Sequence, residues 1–233
     1  AVVNYWEFKM AFFYEYSEVF YLDPETGWRT EMREEDTMIT NVNAVAEDAW
    51  YRINDNFSLT LHKAGVNTAV SLPMEAGLFG MYFLGEGEGR VGGADSTWEQ
   101  AVMFRFHQGN VTTQMMPAGY ELDAPTSFHL FDVDNGWAFS LDPLTLLSDF
   151  RLGGTRLWQL SDGVMTPQPA PSGCTATRLW QMDFADENFG IVTTNTNEYY
   201  LLENGTWTCE TLPVASDFYF SFVHIVNPDH YYI

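Results

Sequence analysis

Four internal units of one pattern, half-units at the two ends and almost no helical periodicity predict an all-β chain. The architecture they imply is a β-propeller of about five four-stranded blades, its ring closed by strands from both termini. Each unit reads as a strand, an acidic turn, a second strand, a third strand, a glycine turn and a fourth strand ended by proline. Repeats of roughly 40 to 50 residues at this strand density mark radial repetition, which shields sheet edges.

The first blade, 38–73, runs from Ile39 to Ala46, turns at Glu47-Asp48 and restarts at Trp50. Phe57 to His62 and Asn67 to Leu72 follow, separated by Lys63-Ala-Gly65 and closed by Pro73. The second, 77–117, has Leu78 to Leu84, a Gly-Glu-Gly-Glu-Gly89 turn, Arg90 to Gly93, Ala101 to His107 and Val111 to Met116. The third, 127–171, opens with Phe128 to Val133, an Asp-Asn-Gly136 turn and Trp137 to Leu141. Asn-Gly between apolar runs predicts a two-residue hairpin turn with positive φ at both positions. An insertion, Asp142 to Gly154, precedes Thr155 to Leu160, the Asp162-Gly163 turn and Val164 to Thr166.

The fourth blade, 177–213, holds Thr177 to Phe184, Phe189 to Thr194, Glu198 to Leu202 and Thr206 to Leu212, with Asn204-Gly205 before its last strand. The fifth is shared. Residues 220–233 supply a first strand, the Asn-Pro-Asp229 turn and a second strand, and 17–33 supply Val19 to Leu22 and Trp28 to Met32 beside them. Residues 1–16 add a third strand to that blade or begin a sixth.

Composition limits the partners. There are 32 acidic residues against 10 Lys plus Arg, for a net charge of −22. Such a surface repels phosphate backbones and anionic lipid, so neither nucleic acid nor membrane insertion is expected, while cations, basic proteins and neutral glycans are compatible. No apolar run reaches the roughly 18 residues of a membrane helix, and no basic-then-apolar signal segment opens the chain. Cys174 and Cys209 are expected to be free thiols. The repeat alignment puts them near opposite edges of one sheet, about 14 Å apart, beyond the roughly 7 Å a disulfide spans. Asn56, Asn110 and Asn204 head glycosylation sequons.

Alternating strand direction places the first-to-second and third-to-fourth turns on one face, and the second-to-third loops and crossings on the other. The turn face gathers acids: Glu47, Asp48, Glu86, Glu88, Asp132, Asp134, Asp183, Asp186, Glu187 and Asp229. Asp favours tight turns by bonding its own backbone, so these carboxylates are expected to shape turns rather than hold an ion. His62 and His107 occupy matching positions, and His129, His224 and His230 show no ligating spacing. The irregular loops on the opposite face are where function usually resides. Ligand binding is expected at Asp95 and Trp98, in the 92–100 loop, and at Phe150 and Arg151, in the 142–156 insertion. An aromatic beside arginine and acids suits a sugar ring or a peptide anchor.

Asp-Asn-Gly-Trp-Ala-Phe139, with the apolar run before it, resembles the blades of sialidase-like (BNR) and photosystem-assembly-factor-like propellers. Asn204-Gly-Thr-Trp207 and Asp23-Pro-Glu-Thr-Gly-Trp28 are similar to the Asp-box turn, Ser-x-Asp-x-Gly-x-x-Trp, but differ in spacing and lack the leading serine. The resemblance implies the propeller architecture. It does not imply sialidase activity, since the arginine triad and tyrosine nucleophile have no counterparts.

No GxSxG, phosphate loop or HExxH is present, so no catalytic residue, metal or cofactor is assigned. The expected function is a non-enzymatic, extracytoplasmic or secreted module that binds a protein or glycan. The alternatives are a glycoside-active enzyme with a carboxylate pair at the channel mouth and a structural subunit of a larger extracellular assembly.

Overall fold

Antiparallel pairing accounts for every regular element among the described residues. The structure is a computed structural model that describes residues 2–6, 16–23, 27–35, 39–46, 48–54, 56–141, 154–213 and 223–233. The first sheet joins β1 (Val2–Trp6), β2 (Tyr16–Asp23) and β3 (Gly27–Glu35). Four four-stranded sheets follow in strict chain order. They are β4 (Ile39–Ala46), β5 (Ala49–Asn54), β6 (Leu59–Lys63) and β7 (Val66–Ala69); then β8 (Ala76–Gly85), β9 (Glu88–Asp95), β10 (Ala101–His107) and β11 (Asn110–Met115). Next come β12 (Ala124–Leu130), β13 (Gly136–Leu141), β14 (Arg156–Ser161) and β15 (Val164–Gln168), then β16 (Leu179–Asp186), β17 (Phe189–Thr194), β18 (Glu198–Glu203) and β19 (Thr206–Thr211). A hairpin of β20 (His224–Asn227) and β21 (His230–Tyr232) ends the series.

The first strand of each sheet packs on the first strand of the next: β1 on β4, β4 on β8, β8 on β12, β12 on β16 and β16 on β20. These six form the inner rim. Five of them, all but β1, carry bulges, which recur at equivalent places. One set lies at Ile39/Asn41, Leu78/Gly80, Pro125/Ser127 and Leu179/Met182, the other at Ala44/Ala46, Phe83/Gly85, Phe184/Asp186 and Ile225/Asn227. A bulge adds one residue and tightens the local bend, as crowded inner strands require. Glycine permits the closest approach: a Cβ on Gly80 would meet Thr126 O at 2.1 Å, and one on Gly92 would meet Pro125 O at 2.3 Å.

The core lies between sheets. Tyr51, Ile53 and Leu59 of one sheet meet Leu78, Met81, Val91 and Phe104 of the next. Phe79 and Met103 meet Phe128, Leu130 and Trp158, and Trp137 and Phe139 meet Phe184, Tyr200 and Leu202. Phe189, Ile191 and Tyr199 receive Val223 and Ile225 of the last hairpin. Strands in the second position are therefore covered on both faces, and β5, β13 and β17 are buried at every residue.

The role left open for the N-terminal stretch resolves, and two expectations change. Residues 2–6 pair with β2, whose other edge holds β3, so the 17–33 sheet takes its extra strand from the N-terminal stretch. No pairing among the described residues joins β20–β21 to it. The Asn135-Gly136 turn is not the two-residue type, since Gly136 is extended at φ 158°. Phe131 and Asp132 N–H instead bond Asn135 O across a longer loop, and the Asp132 carboxylate accepts from Asp134 N at 2.7 Å. Paired positive φ occurs in the third-to-fourth turns: Ala64-Gly65, Gln108-Gly109, Asp162-Gly163 and Asn204-Gly205. Finally, Cys174 and Cys209 form a disulfide with Cα atoms 5.5 Å apart. Cys174 is not on a strand; it lies in the crossing before β16, which folds against β18 as Thr175 and Ala176 N–H bond the Glu198 carboxylate at 2.8 Å.

Candidate functional site

Five of the inner strands, β4, β8, β12, β16 and β20, present a polar residue at the same level. Asn43 pairs with Tyr51, Tyr82 with Arg90, His129 with Trp137, Asp183 with Ile191 and His224 with Tyr232, a constant step of eight positions across the first hairpin. The register brings them into a chain of contacts. Asn43 Oδ1 accepts from Phe83 N at 2.5 Å, and the rings of Tyr82 and His129 lie 5.4 Å apart. His129 Nδ1 is 3.4 Å from Asp183 Oδ1, and His224 Nδ1 is 3.4 Å from Asp183 Oδ2.

Asp183 is held in place by backbone donors, Ile225 N to Oδ2 at 2.7 Å and Phe184 N to Oδ1 at 3.0 Å. Burial among Tyr82, Phe131 and Phe184 keeps the His129 imidazole below its ordinary pKa, against the opposing pull of Asp183. His129 is therefore a neutral ring at pH 7. Burial, then the Asp183 charge, pushes the Tyr82 hydroxyl up. His224 is the accessible member, with 57% of its side chain exposed.

Two residues further along, these five strands all carry apolar residues. Val45 and Phe131 are half-buried, Ala185 and Val226 are exposed, and Leu84 is 43% exposed against 59% for Val226. Asp48, Glu86, Asp132, Asp186, Glu187 and Asp229 lie in the turns that follow these positions, all exposed.

Most turn acids are engaged locally. Glu88 accepts from His107 Nδ1 at 2.7 Å and from Gln108 N, Glu86 from Lys63, and Asp186 from Asn188 and Phe189 N–H. Asp134 clamps two sheets: it takes Arg105 bidentately at 2.6 and 2.7 Å and Arg90 Nη2 at 2.9 Å. Arg90, fully buried, also donates to Val133 O and Gln114 Oε1, and burial pushes its guanidinium down to about 10, still charged at neutral pH.

On the opposite face, Asp95 and Trp98 shape their own loop. Asp95 Oδ1 accepts from Thr97 Oγ1 and from the N–H groups of Glu99 and Gln100. Trp98, at φ 62°, folds its ring between Phe57 and Phe79 and against Gly77. Phe150 and Arg151 lie outside the described residues. Arg156, at the end of that insertion, pairs with Asp123 at 2.7 Å and covers the Tyr120 ring. The rim cluster escaped the sequence reading because its successive members are 39 to 54 residues apart, on separate sheets. Their common step of eight to a register partner was the available signal.

No known protein family matches the sequence, and no curated protein matches it. Among solved structures, the chain is similar to YCF48 bound to D1 peptide (10% identity, TM-score 0.59, covering 93% of this chain and 67% of that one). It is similar to the WD40 β-propeller domain of Doa1 (13%, TM-score 0.57, 84% and 61%) and to the β-propeller domain of Cps50 (Swd1) from Myceliophteria thermophila (12%, TM-score 0.55, 84% and 68%). At these identities the likeness establishes the fold: the chain is a β-propeller of four-stranded antiparallel blades.

Proposed function

We propose that this propeller is a protein-interaction module that takes a basic segment with an apolar tip at the inner mouth of its turn face. The observation that carries the reading is that Leu84, Ala185 and Val226, at equivalent positions of three inner strands, are exposed apolar residues each followed by an exposed acidic turn. An apolar centre with a polar rim is the usual anatomy of a recognition patch, and a net charge of −22 selects a cationic partner. A propeller solved with a peptide, YCF48 with D1 peptide, supports the mode. The setting we propose is extracytoplasmic, supported by the Cys174–Cys209 disulfide, which persists in oxidising compartments.

A glycan is the weaker fit because Trp98, Trp137 and Trp207, rings a sugar would stack on, are turned into packing contacts. The test is a panel of labelled peptides with one Leu or Phe between Lys and Arg residues, measured by fluorescence anisotropy. Leu84→Arg with Val226→Arg is expected to weaken the best binder at least roughly tenfold without changing the melting point. Equal binding of peptides with Glu in place of Lys and Arg would overturn the proposal.

A further inference from the structure

We propose that the Cys174–Cys209 pair is a redox-gated metal site: once reduced, its two sulfurs and the Glu198 carboxylate bind one Zn2+, which then holds the crossing before β16 where the disulfide holds it. Sheet register supplies two of the three groups. Cys209 on β19 stands opposite Tyr200 on β18, so Glu198, two residues before Tyr200, shares its face of the sheet as a diagonal neighbour. The crossing supplies the third, Cys174, with its Cα 5.5 Å from that of Cys209. Both sulfurs and a Glu198 carboxylate oxygen lie within 4.8 Å of one another, and no other set of three such groups does so among the described residues.

The arrangement suits zinc. Thiolates bound at about 2.3 Å to one tetrahedral ion stand roughly 3.8 Å apart, and a carboxylate oxygen bound at about 2.0–2.2 Å sits roughly 3.5 Å from each. Both separations fall within the span these groups already occupy. Thiolates also select zinc over magnesium and calcium, which take oxygen ligands. The carboxylate is fixed without help from the sulfurs: Thr175 N and Ala176 N donate to Oε2 at 2.8 Å and Thr175 Oγ1 donates to Oε1 at 2.9 Å. Outer contacts of this kind orient a metal-binding group. All three residues are half-buried, which leaves an ion a way in and a fourth position for water.

The disulfide offers no thiolate, so the site exists in one redox state only. A dithiol reductant supplies two electrons and two protons: the Sγ–Sγ bond breaks, two S–H groups form and the reductant closes to its own disulfide. Zn2+ then displaces the two protons to buffer, and two Zn–S bonds form with no further change of oxidation state. The site lies against the outermost strand of its sheet, away from the inner strands, and does not rest on the peptide reading.

The experiment reduces the protein with a dithiol, desalts it without oxygen and titrates it with ZnCl2 by calorimetry beside the oxidised protein. The reduced chain is expected to take one equivalent and release about two protons, read from the dependence of the heat on the buffer. The oxidised chain, with the same carboxylates, takes none. At a hundredfold excess over Kd the metal raises the melting midpoint of the reduced chain by roughly 5–10 °C, and MgCl2 does not. CoCl2 in place of zinc gives a sulfur-to-metal charge-transfer band, which Cys174→Ser abolishes together with stoichiometric binding. Glu198→Gln weakens Zn2+ binding at least roughly tenfold, and re-formation of its disulfide in air shows that the crossing still docks. Glu210→Gln, at an exposed position beside Cys209, leaves binding unchanged. No stoichiometric Zn2+ binding by the reduced chain, equal binding by the oxidised chain, or undiminished affinity in Glu198→Gln overturns the proposal.

Discussion

Single side chains hold neighbouring sheets together here. Arg90 is charged and has no exposed surface, so it depends on the partners Asp134, Gln114 and the Val133 carbonyl. Asp134→Asn leaves that guanidinium short of a counter-charge and is expected to cost about 3 kcal/mol of stability at pH 7. The bidentate bond from Arg105, then its charge, depresses the Asp134 carboxyl below the ordinary value of 3.8. A depressed carboxylate contributes stability above its unfolded pKa and loses it as pH falls through the folded one. The gap between wild type and variant in urea midpoints should therefore be full at pH 7 and close below about pH 4. A gap that stays constant down to pH 2 would remove Asp134 from this role. Asp134 was legible in the sequence only as a turn acid, because its two arginines come from another sheet.

Elements of this fold are specified locally, and local patterns were readable. Second-position strands opening near Trp50, Trp137 and Phe189 appear where the alternation of turns and apolar runs put them. Glycine turns at 65, 109, 163 and 205 supply the positive φ expected of tight hairpins. What failed is equally specific. Asp132 redirected the Asn135-Gly136 turn by bonding its own backbone, a side-chain effect that outweighs the dipeptide signal. Inner-strand bulges are invisible to a pattern of alternation because they add residues without changing hydrophobicity. The disulfide was missed by assuming that Cys174 already lay in the sheet rather than in the crossing that leads to it. Replacing both cysteines by serine is expected to cost about 2–4 kcal/mol for a bridge with 35 residues of separation, measured as a lower denaturant midpoint. No loss on replacement would mean that the Glu198 contacts alone hold the strap.

The whole molecule carries far more negative charge than its few cations neutralise. Local pairs such as Lys63–Glu86 at 2.6 Å relieve a fraction of it. Self-repulsion at a net charge of −22 opposes the compact state, and ions screen it with a Debye length of about 30 Å at 0.01 M and about 10 Å at 0.1 M. Raising NaCl from about 10 mM to about 500 mM should lift the melting midpoint by several degrees; a flat or falling response would show that ion pairs outweigh repulsion. At this scale the fold class was legible, since repetition survives in the sequence even where motifs have decayed. The rim cluster was not, because its members share only a register.

Apolar surface that lies between successive sheets, rather than inside any one of them, makes the protein behave as a stack of coupled tiles. Removing an interior tile by deletion of its four strands would leave two faces that still fit each other in kind, whereas halving a tile would strand both neighbours. Growth or loss in whole-tile steps is the natural mode of change for such a chain, and partial opening should travel tile by tile from its ends.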